Sequence, residues 1–595
     1  MDRKEPILKD IIRKYSIESF ENSSKLTLEE ARKEISIEEH FYDKLRTSEV
    51  KGYPIGSDFV DVSGKTYRMD EYDKVPDYIK KDLRLRYYYL PCMHEIYIGT
   101  TGSGKTTGCV EPQVRAIVSQ KNKPHIFLTD PKGEIFNRNA EYIKNNGYDI
   151  YVLNFKDFRR SDRWNPLGEI YNTYMEKKEL LNEKKFVREE GNYSFNGIKF
   201  DSLDDMNAYV DQEHERIDGI TNNLVKSFVE MIIPITSKDD LTWEQGAQSI
   251  AEGILYAMLN AALHSKETGF TANMFTIKTF FEYYHELTKS FDGSRVYSYE
   301  DLDNHILINH FPLAVNKLMA VYCNAERTRK GYIGVFDGAT HDWKQSHIFS
   351  LTTGSTINFE KSKKPFAIFV ITRDYEKSDF KIAGLFIDYV YRTLLKEAEA
   401  KTLKGQPIPN VHFLLDEFGN IPKIPSFDNK IATARSRNLW MHIFVQSYEQ
   451  IYNVYTDHAE ADVILSNCNS RVFLGSQSYK TIETFSNECG KKTVNIGGIN
   501  NSDSVNLTET NVILKSDLDL IDVGSMYMKR IYLPVIYTHY IRSYFLGDTG
   551  HYQDFKNDGL LTCTPVNKVV YSSDAYTYKP KKKRKDSDIF NFDFD

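Results

Sequence analysis

A glycine-rich stretch at residues 99–107 carries the clearest chemistry in the sequence. It consists of Gly99, Thr100, Thr101, Gly102, Ser103, Gly104, Lys105, Thr106 and Thr107. Glycines at this spacing let the backbone curl so that its N–H groups point at a phosphate, and the helix expected next adds partial positive charge. We expect Lys105 to contact the β- and γ-phosphates of a nucleoside triphosphate, and the Thr106 hydroxyl to bind Mg²⁺.

An acidic pair far along the chain supplies the groups that hydrolysis of such a nucleotide needs. Asp416 and Glu417 follow the apolar run Val411–Leu415, which is typical of a parallel strand buried on both faces. Parallel sheets bind ligands at the carboxyl ends of their strands. We therefore expect Asp416 to lie in the shell of Mg²⁺ next to Thr106, and Glu417 to polarise the attacking water.

Two further positions are candidates for sensing or stabilising the reacting phosphate. Gln446 follows the strand expected at Leu439–Val445, where its side chain would contact the γ-phosphate and report its loss. Arg435 and Arg437 precede that strand. They are either a surface pair, or one of them is an arginine finger that reaches the nucleotide of a neighbouring subunit. The second interpretation requires an oligomer.

Alternating strands and helices must position these groups. Strands are expected at Glu95–Ile98, His125–Asp130, Ile150–Asn154, Pro365–Ile371, Val411–Leu415, Leu439–Val445 and Ser470–Leu474. This alternation predicts the α/β class with a parallel central sheet. Residues 171–345 have helical spacing instead and predict an all-helical insertion. Its clearest helix opens near Trp243 and has one apolar face, formed by Ile250, Ile254, Leu255, Met258 and Leu259.

The nucleotide-binding domain is thus expected in two parts, at residues 86–170 and 346–575. Residues 1–85 are expected to form a soluble N-terminal extension with helical stretches around residues 26–44. Residues 576–595 are expected to be a disordered charged tail, because KPKKKRK is followed there by DSDIFNFDFD. A peptide that docks onto another protein and an arm that contacts phosphates are the alternatives for this tail.

Composition limits the class of protein. The 595 residues are too many for one compact core and suggest two to four domains. The net charge of −7 disfavours a dedicated duplex-DNA binder, so any contact with DNA must be local. The six cysteines lie far apart without zinc-binding spacing, as expected of reduced thiols in a cytoplasmic protein. Since no apolar window reaches the length of a membrane span, none is expected.

Several separated segments together resemble the type IV secretion system coupling proteins, the ring ATPases of bacterial conjugation. They span about residues 96–493 and read IGTTGSGKTTGCVEP, FLTDPKGEIF, SDRWNPL, WEQGAQSIAEGILYAML, FLLDEFGNIPKI, ATARSRNLWMHIFVQSYEQI and NCNSRVFLGSQSYKTIETFSNECGKKT. DPKGE at residues 130–134 and WNPL at residues 164–167 are more specific than the phosphate loop, which many ATPases share.

The resemblance implies a RecA-like P-loop domain with an inserted all-helical domain, and hydrolysis of ATP with Mg²⁺. Carried over by position, it assigns Lys105 and Thr106 to the nucleotide and the metal, and Asp416 and Glu417 to the metal and the attacking water. It assigns the finger in trans to Arg435 and the sensor to Gln446. It also implies a homo-hexamer. Expected partners are a relaxase with other relaxosome proteins, single-stranded DNA, and the ATPases of the secretion channel.

One departure from the family pattern concerns the membrane. Most members carry an N-terminal transmembrane anchor, and none is expected in this sequence. The chain therefore looks like the membrane-less subset, held at the inner face of the cell membrane by a separate membrane-anchoring partner.

The function expected from this resemblance is recruitment of relaxase-bound single-stranded DNA and its ATP-driven passage into a conjugation channel. Lys423, Lys430 and Arg437 are candidates for contacting DNA in a pore, or are surface cations. One alternative is a ring translocase on double-stranded DNA, against which DPKGE and WNPL argue. Another is a docking adaptor whose ATP turnover serves assembly.

Overall fold

The computed structural model describes residues 36–41, 52–67, 75–80, 83–189, 191–235, 241–293, 295–373, 376–495, 507–531, 533 and 535–540. The expected tail at 576–595 and most of the expected N-terminal extension lie outside these ranges. The described residues form two compact units. One contains the residues up to Lys156 and those from Asn358 onward, and the other contains Asp157–Ile357.

The strands are β1 Ser36–Phe41, β2 Tyr53–Val60, β3 Thr66–Tyr67, β4 Arg84–Leu90, β5 Glu95–Gly99, β6 His125–Thr129, β7 Asp149–Asn154, β8 Phe186–Glu189, β9 Asn192–Phe195, β10 Ile198–Phe200, β11 Phe366–Ile371, β12 Val411–Leu415, β13 Leu439–Val445, β14 Ser470–Gly475, β15 Lys491–Asn495, β16 Leu507–Asn511, β17 Ser525–Arg530 and β18 Ile536–His539. The α-helices of the first unit are Asp77–Lys80, Glu111–Ser119, Glu134–Asn145, Lys377–Leu403, Phe427–Ala434, Tyr448–Val454, His458–Asn467, Tyr479–Glu488 and Lys515–Asp519.

A nine-stranded sheet forms the core of the first unit. Its strand order is β18-β17-β14-β5-β13-β12-β6-β11-β7. The strands from β14 to β7 are all parallel, whereas β17 and β18 run antiparallel at one edge. Every residue of β11, β12 and β13 is buried, as helices on both faces of a parallel sheet require. The seven predicted strands are confirmed, each within one residue of its expected ends.

A second sheet precedes the phosphate loop, where a helical extension was expected. Its order is β1-β4-β2-β3, and its strands are antiparallel. The helical expectation is therefore wrong for residues 36–41, and β4 crosses the expected boundary at residue 85. The sequence of β4, RLRYYYL, is rich in aromatic residues that favour strands. Tyr53 of β2 joins the two sheets, because its ring stacks on His442 of β13 at 3.8 Å and its hydroxyl donates to Gln113 at 3.0 Å.

The second unit is largely helical. Its α-helices are Gly168–Met175, Lys177–Leu180, Leu203–Ile232, Thr242–Leu263, Ser265–Thr268, Ile277–Ser290, Tyr299–Asp303, Pro312–Tyr322, Glu326–Thr340 and Ser346–Leu351. All five residues of the predicted apolar face in Thr242–Leu263 are buried. In the WNPL segment, the Asn165 amide donates to the carbonyl of Phe275 at 2.6 Å, which fixes a turn of this unit.

The expectation that this segment is all-helical needs a correction at residues 186–200. Strands β8, β9 and β10 form a small antiparallel sheet there. Asn196 and Gly197 join β9 to β10, both with positive φ, at +50° and +83°. This Asn-Gly pair is a strong sequence signal for a two-residue hairpin turn.

Within the described ranges, no helix combines the length and the apolar composition needed to span a membrane.

Candidate nucleotide-binding site

The glycine-rich loop connects β5 to a helix that starts with a wide turn at Thr106–Val110 and continues as Glu111–Ser119. Gly102 and Gly104 have φ values of +89° and +86°, a region that side-chain-bearing residues rarely adopt. The Thr100 N–H donates to the carbonyl of Gly475 at 3.0 Å. The loop is thereby held against the carboxyl end of β14, in a conformation that depends on its glycines.

Two buried polar groups of this loop have no hydrogen-bond partner among the residues that the structure describes. They are the Lys105 Nζ and the Ser103 Oγ. The Lys105 side chain is only 7% exposed, and its nearest carboxylate oxygen, Glu417 Oε1, lies 3.8 Å away. An unpaired buried donor costs about 1–3 kcal/mol. A phosphate oxygen would satisfy both groups, so the residues present fit a nucleotide phosphate.

The acidic pair lies at the carboxyl end of β12. Thr129 of the neighbouring strand β6 donates from its hydroxyl to the carbonyl of Asp416 at 2.8 Å. Burial raises the pKa of Asp416 to about 6, although the Lys105 ammonium opposes this shift. Glu417 has a φ of +53°. A non-glycine residue held in this region is strained, which is common at functional sites.

Gln446 contacts the acidic pair directly. It follows β13, and its amide Nε2 donates to Glu417 Oε2 at 3.2 Å. Its backbone N–H donates to Gln450 Oε1 at 2.8 Å, which fixes the position of the residue after the strand. The structure thus brings Lys105, Glu417 and Gln446 together around one carboxylate.

Asp130 is a neighbour of this site that the sequence marks only as part of the DPKGE motif. It follows β6 and is buried, and its carboxylate accepts the backbone N–H groups of Gly133 and Phe136, each at 2.9 Å. Burial raises the pKa of Asp130 to about 7, and the charge of Asp416 contributes to this shift. Its position after a buried strand next to β12 is the same sequence signal that identified Asp416.

The residues available for Mg²⁺ are oxygen donors. No cluster of three or more histidine, cysteine or acidic side chains suited to a metal ion occurs in the described part of the chain. Mg²⁺ does not need such a cluster, because it keeps several waters and binds one or two protein oxygens together with substrate phosphates. The Thr106 hydroxyl and the Asp416 carboxylate fit that donor set.

Arg435 does not join these groups within its own chain. It is exposed on the short turn Arg435–Arg437, which precedes β13. Arg435 is close to His94, because burial, together with the charges of His442 and Arg435, lowers the pKa of His94 to about 3. His94 precedes β5. Arg435 therefore lies at the amino ends of the strands, whereas the phosphate loop lies at their carboxyl ends. The length of β13 separates the two by about 20 Å.

The three candidate pore cations all have acidic partners within the chain. Lys423 pairs with Glu460 at 2.5 Å, Lys430 with Asp388 at 3.0 Å, and Arg437 with Glu399 at 3.2 Å. These pairs agree with the alternative that the three residues are surface cations.

The fold and the site together define a P-loop protein with a RecA-like nucleotide-binding domain. The bacterial conjugative coupling protein TrwB, in its unbound monoclinic form, has this fold. It is 13% identical over 77% of this chain and 87% of its own, with a TM-score of 0.51. TrwB in complex with ADP and Mg²⁺ is 14% identical over 77% of this chain and 85% of its own, with a TM-score of 0.48.

A family model described as type IV secretory system conjugative DNA transfer matches residues 60–517. The chain therefore belongs to that family, as its sequence segments suggested. VirB4 of Thermoanaerobacter pseudethanolicus is a more distant match, 11% identical over 83% of this chain and 97% of its own, with a TM-score of 0.40. No curated protein sequence matches the chain.

Proposed function

We propose that this protein is an ATP-hydrolysing coupling protein that recruits relaxase-bound single-stranded DNA and drives it into a type IV secretion channel. The observation that carries this proposal is the buried Lys105 ammonium, which has no hydrogen-bond partner among the described residues and lies 3.8 Å from the Glu417 carboxylate that Gln446 also binds. A buried cation next to a glycine loop and an acidic pair is suited to bind and hydrolyse a nucleoside triphosphate. Membership of the conjugative DNA transfer family supports DNA transfer as the process that this hydrolysis serves.

In this proposal each side chain has a separate role. The loop N–H groups and Lys105 bind the phosphates, and Thr106 and Asp416 hold Mg²⁺. A Mg²⁺ ion held there would supply positive charge beside the phosphate oxygens. Glu417 orients a water molecule and accepts its proton, while Gln446 holds the Glu417 carboxylate. When the γ-phosphate leaves, this contact transmits the change to β13.

The site also requires a second subunit. Arg435 lies about 20 Å from the phosphate loop of its own chain, along the length of β13. In a ring, the surface that carries Arg435 in a neighbouring copy can face this nucleotide. We therefore propose a homo-hexamer in which each site is completed in trans.

The family match supports a set of proposed partners. A relaxase with its relaxosome, single-stranded DNA, channel ATPases and a membrane-anchoring partner at the inner face of the membrane are proposed here for this chain. Because Lys423, Lys430 and Arg437 are paired with acidic residues, residues other than these are expected to contact the DNA phosphates.

ATP turnover by the purified protein, with and without single-stranded DNA, tests this proposal. We expect single-stranded DNA to stimulate hydrolysis more than duplex DNA does. We also expect Lys105→Ala to abolish hydrolysis, while Lys144→Ala, at an exposed lysine of the same unit, retains it. Stimulation only by duplex DNA would favour a double-stranded DNA translocase. Relaxase binding without DNA-dependent turnover would favour an adaptor.

A further inference from the structure

A loop at residues 520–524 lies against the phosphate loop. It precedes β17, and its Gly524 N–H donates to the carbonyl of Ser103 at 3.2 Å. The Val523 Cγ1 lies 3.5 Å from the point where a Cβ on Gly104 would be, so Val523 packs on the backbone of Gly104. The 520–524 loop is therefore attached directly to the segment that surrounds the phosphates.

The order of the strands indicates how a bound nucleotide is oriented across the sheet. Strands β13 and β12, which carry Gln446 and Glu417, lie on one side of β5, whereas β14 and β17 lie on the other side. The γ-phosphate must point toward Glu417, since that carboxylate is placed to activate water. The rest of the nucleotide, with its ribose and base, then extends in the opposite direction. The 520–524 loop and the end of β14 lie on that side.

The 520–524 loop carries two accessible apolar side chains beside the exposed Asp522. Val523 is 53% exposed and Leu520 is 81% exposed. Ile521 rests against the end of β14, because its Cγ2 lies 3.6 Å from the point where a Cβ on Gly475 would be. A single exposed leucine needs no explanation. Two accessible apolar side chains on a loop hydrogen-bonded to the phosphate loop are suited to cover the flat apolar face of a base.

We propose that the 520–524 loop binds the base and ribose of the nucleoside triphosphate, with Val523 and Leu520 in contact with the base. This inference rests on the nucleotide binding proposed above and adds the residues that recognise the part of the ligand beyond its phosphates. Neither the phosphate loop nor the acidic pair contributes to that part.

Binding of two ligands, Mg²⁺–ATP and Mg²⁺–tripolyphosphate, tests the inference by isothermal titration calorimetry. Tripolyphosphate carries the phosphates without the base. We expect Val523→Ser and Leu520→Ser each to weaken ATP binding by roughly three- to tenfold, because a serine buries less apolar surface against the base. Their affinities for tripolyphosphate should match the wild type. The control is Leu403→Ser, at the 90% exposed end of the helix Lys377–Leu403, which should change neither affinity.

The other outcomes are distinct. Unchanged ATP affinity in both loop variants would overturn the inference while leaving nucleotide binding intact. An equal loss of ATP and tripolyphosphate affinity would also overturn it, because the loop would then act only by shaping the phosphate loop. If the wild-type protein binds neither ligand and Lys105→Ala makes no difference, the proposed function itself fails.

Discussion

A mixing experiment with two inactive variants tests whether each site is completed by a neighbouring subunit. The variants are Lys105→Ala, which lacks the phosphate-binding cation, and Arg435→Ala, which lacks the finger. Lys105 is buried beside Glu417, and Arg435 is exposed at the opposite ends of the strands. Because the two positions are about 20 Å apart in one chain, Lys105 and Arg435 of the same chain cannot both contact one nucleotide.

The expected magnitude follows from this separation. Arg435→Ala alone should hydrolyse ATP about a thousandfold more slowly than the wild type, the lower end of the effect of an arginine finger, and Lys105→Ala alone should not hydrolyse it. In a random ring made from equal amounts of both, half of the subunits keep Lys105, and half of their neighbours keep Arg435. If sites act independently, the mixture should recover about one quarter of the wild-type rate.

The assay is steady-state ATP turnover after the two proteins are mixed and assembled on single-stranded DNA, with assembly checked by mass photometry. Each variant assembled alone is the control, and its ATP turnover should not recover. Mixed rings that assemble but stay inactive would refute completion in trans. Full activity of Arg435→Ala alone would remove the finger from the mechanism.

Three further results are expected. Gln446→Ala should slow hydrolysis by roughly a hundredfold, because the Glu417 carboxylate loses its positioning partner, while ATP affinity measured by calorimetry stays within about twofold of the wild type. Tyr53→Ala should lower the free energy of unfolding by about 3–5 kcal/mol, and Tyr53→Phe, which keeps the ring stacked on His442, by only about 1 kcal/mol, as measured by urea denaturation. His125 accepts the Phe366 N–H on its Nδ1 at 3.1 Å, and burial lowers its pKa to about 4. A histidine in the unfolded chain takes up a proton near pH 6.5, so the contribution of neutral His125 to stability is present above that pH and is lost on acidification. Between about pH 6 and 4.5, the free energy of unfolding of the wild type should therefore fall by about 1.4 kcal/mol per pH unit more than that of His125→Gln.

The sequence predicted the parts of the fold that local pattern determines. Apolar runs such as Val411–Leu415 identify strands buried on both faces, and a polar residue directly after such a run lies at the carboxyl edge of the sheet. Such positions predicted Glu417 and Gln446, and the glycine-rich motif predicted Lys105; the structure brings the three together. Asp130 follows β6 in the same way, and the same reasoning applied to every strand would have included it.

The elements that the sequence did not predict depend on distant pairing or on turn chemistry. Strand β17 pairs with β14 although 49 residues separate the two strands, and its residues alone do not specify that partner. The 520–524 loop, which precedes β17, lies against the phosphate loop through the Gly524 N–H. By contrast, the Asn196-Gly197 pair is typical of a hairpin turn and the aromatic run of β4 is typical of a strand, so both elements could have been predicted. The role proposed for Arg435 involves a second copy of the chain, and the sequence of one chain does not show where that copy would lie.

We propose that hydrolysis at the site of Lys105 and Glu417 moves single-stranded DNA. The most direct measurement is ATP-dependent displacement of streptavidin from the end of a biotinylated single-stranded DNA by the assembled protein, together with the rate of hydrolysis. We predict displacement with ATP, none with a non-hydrolysable analogue, and none with Glu417→Gln, although that variant still binds ATP. Hydrolysis by the wild-type ring without any displacement would contradict the account and leave an adaptor in its place.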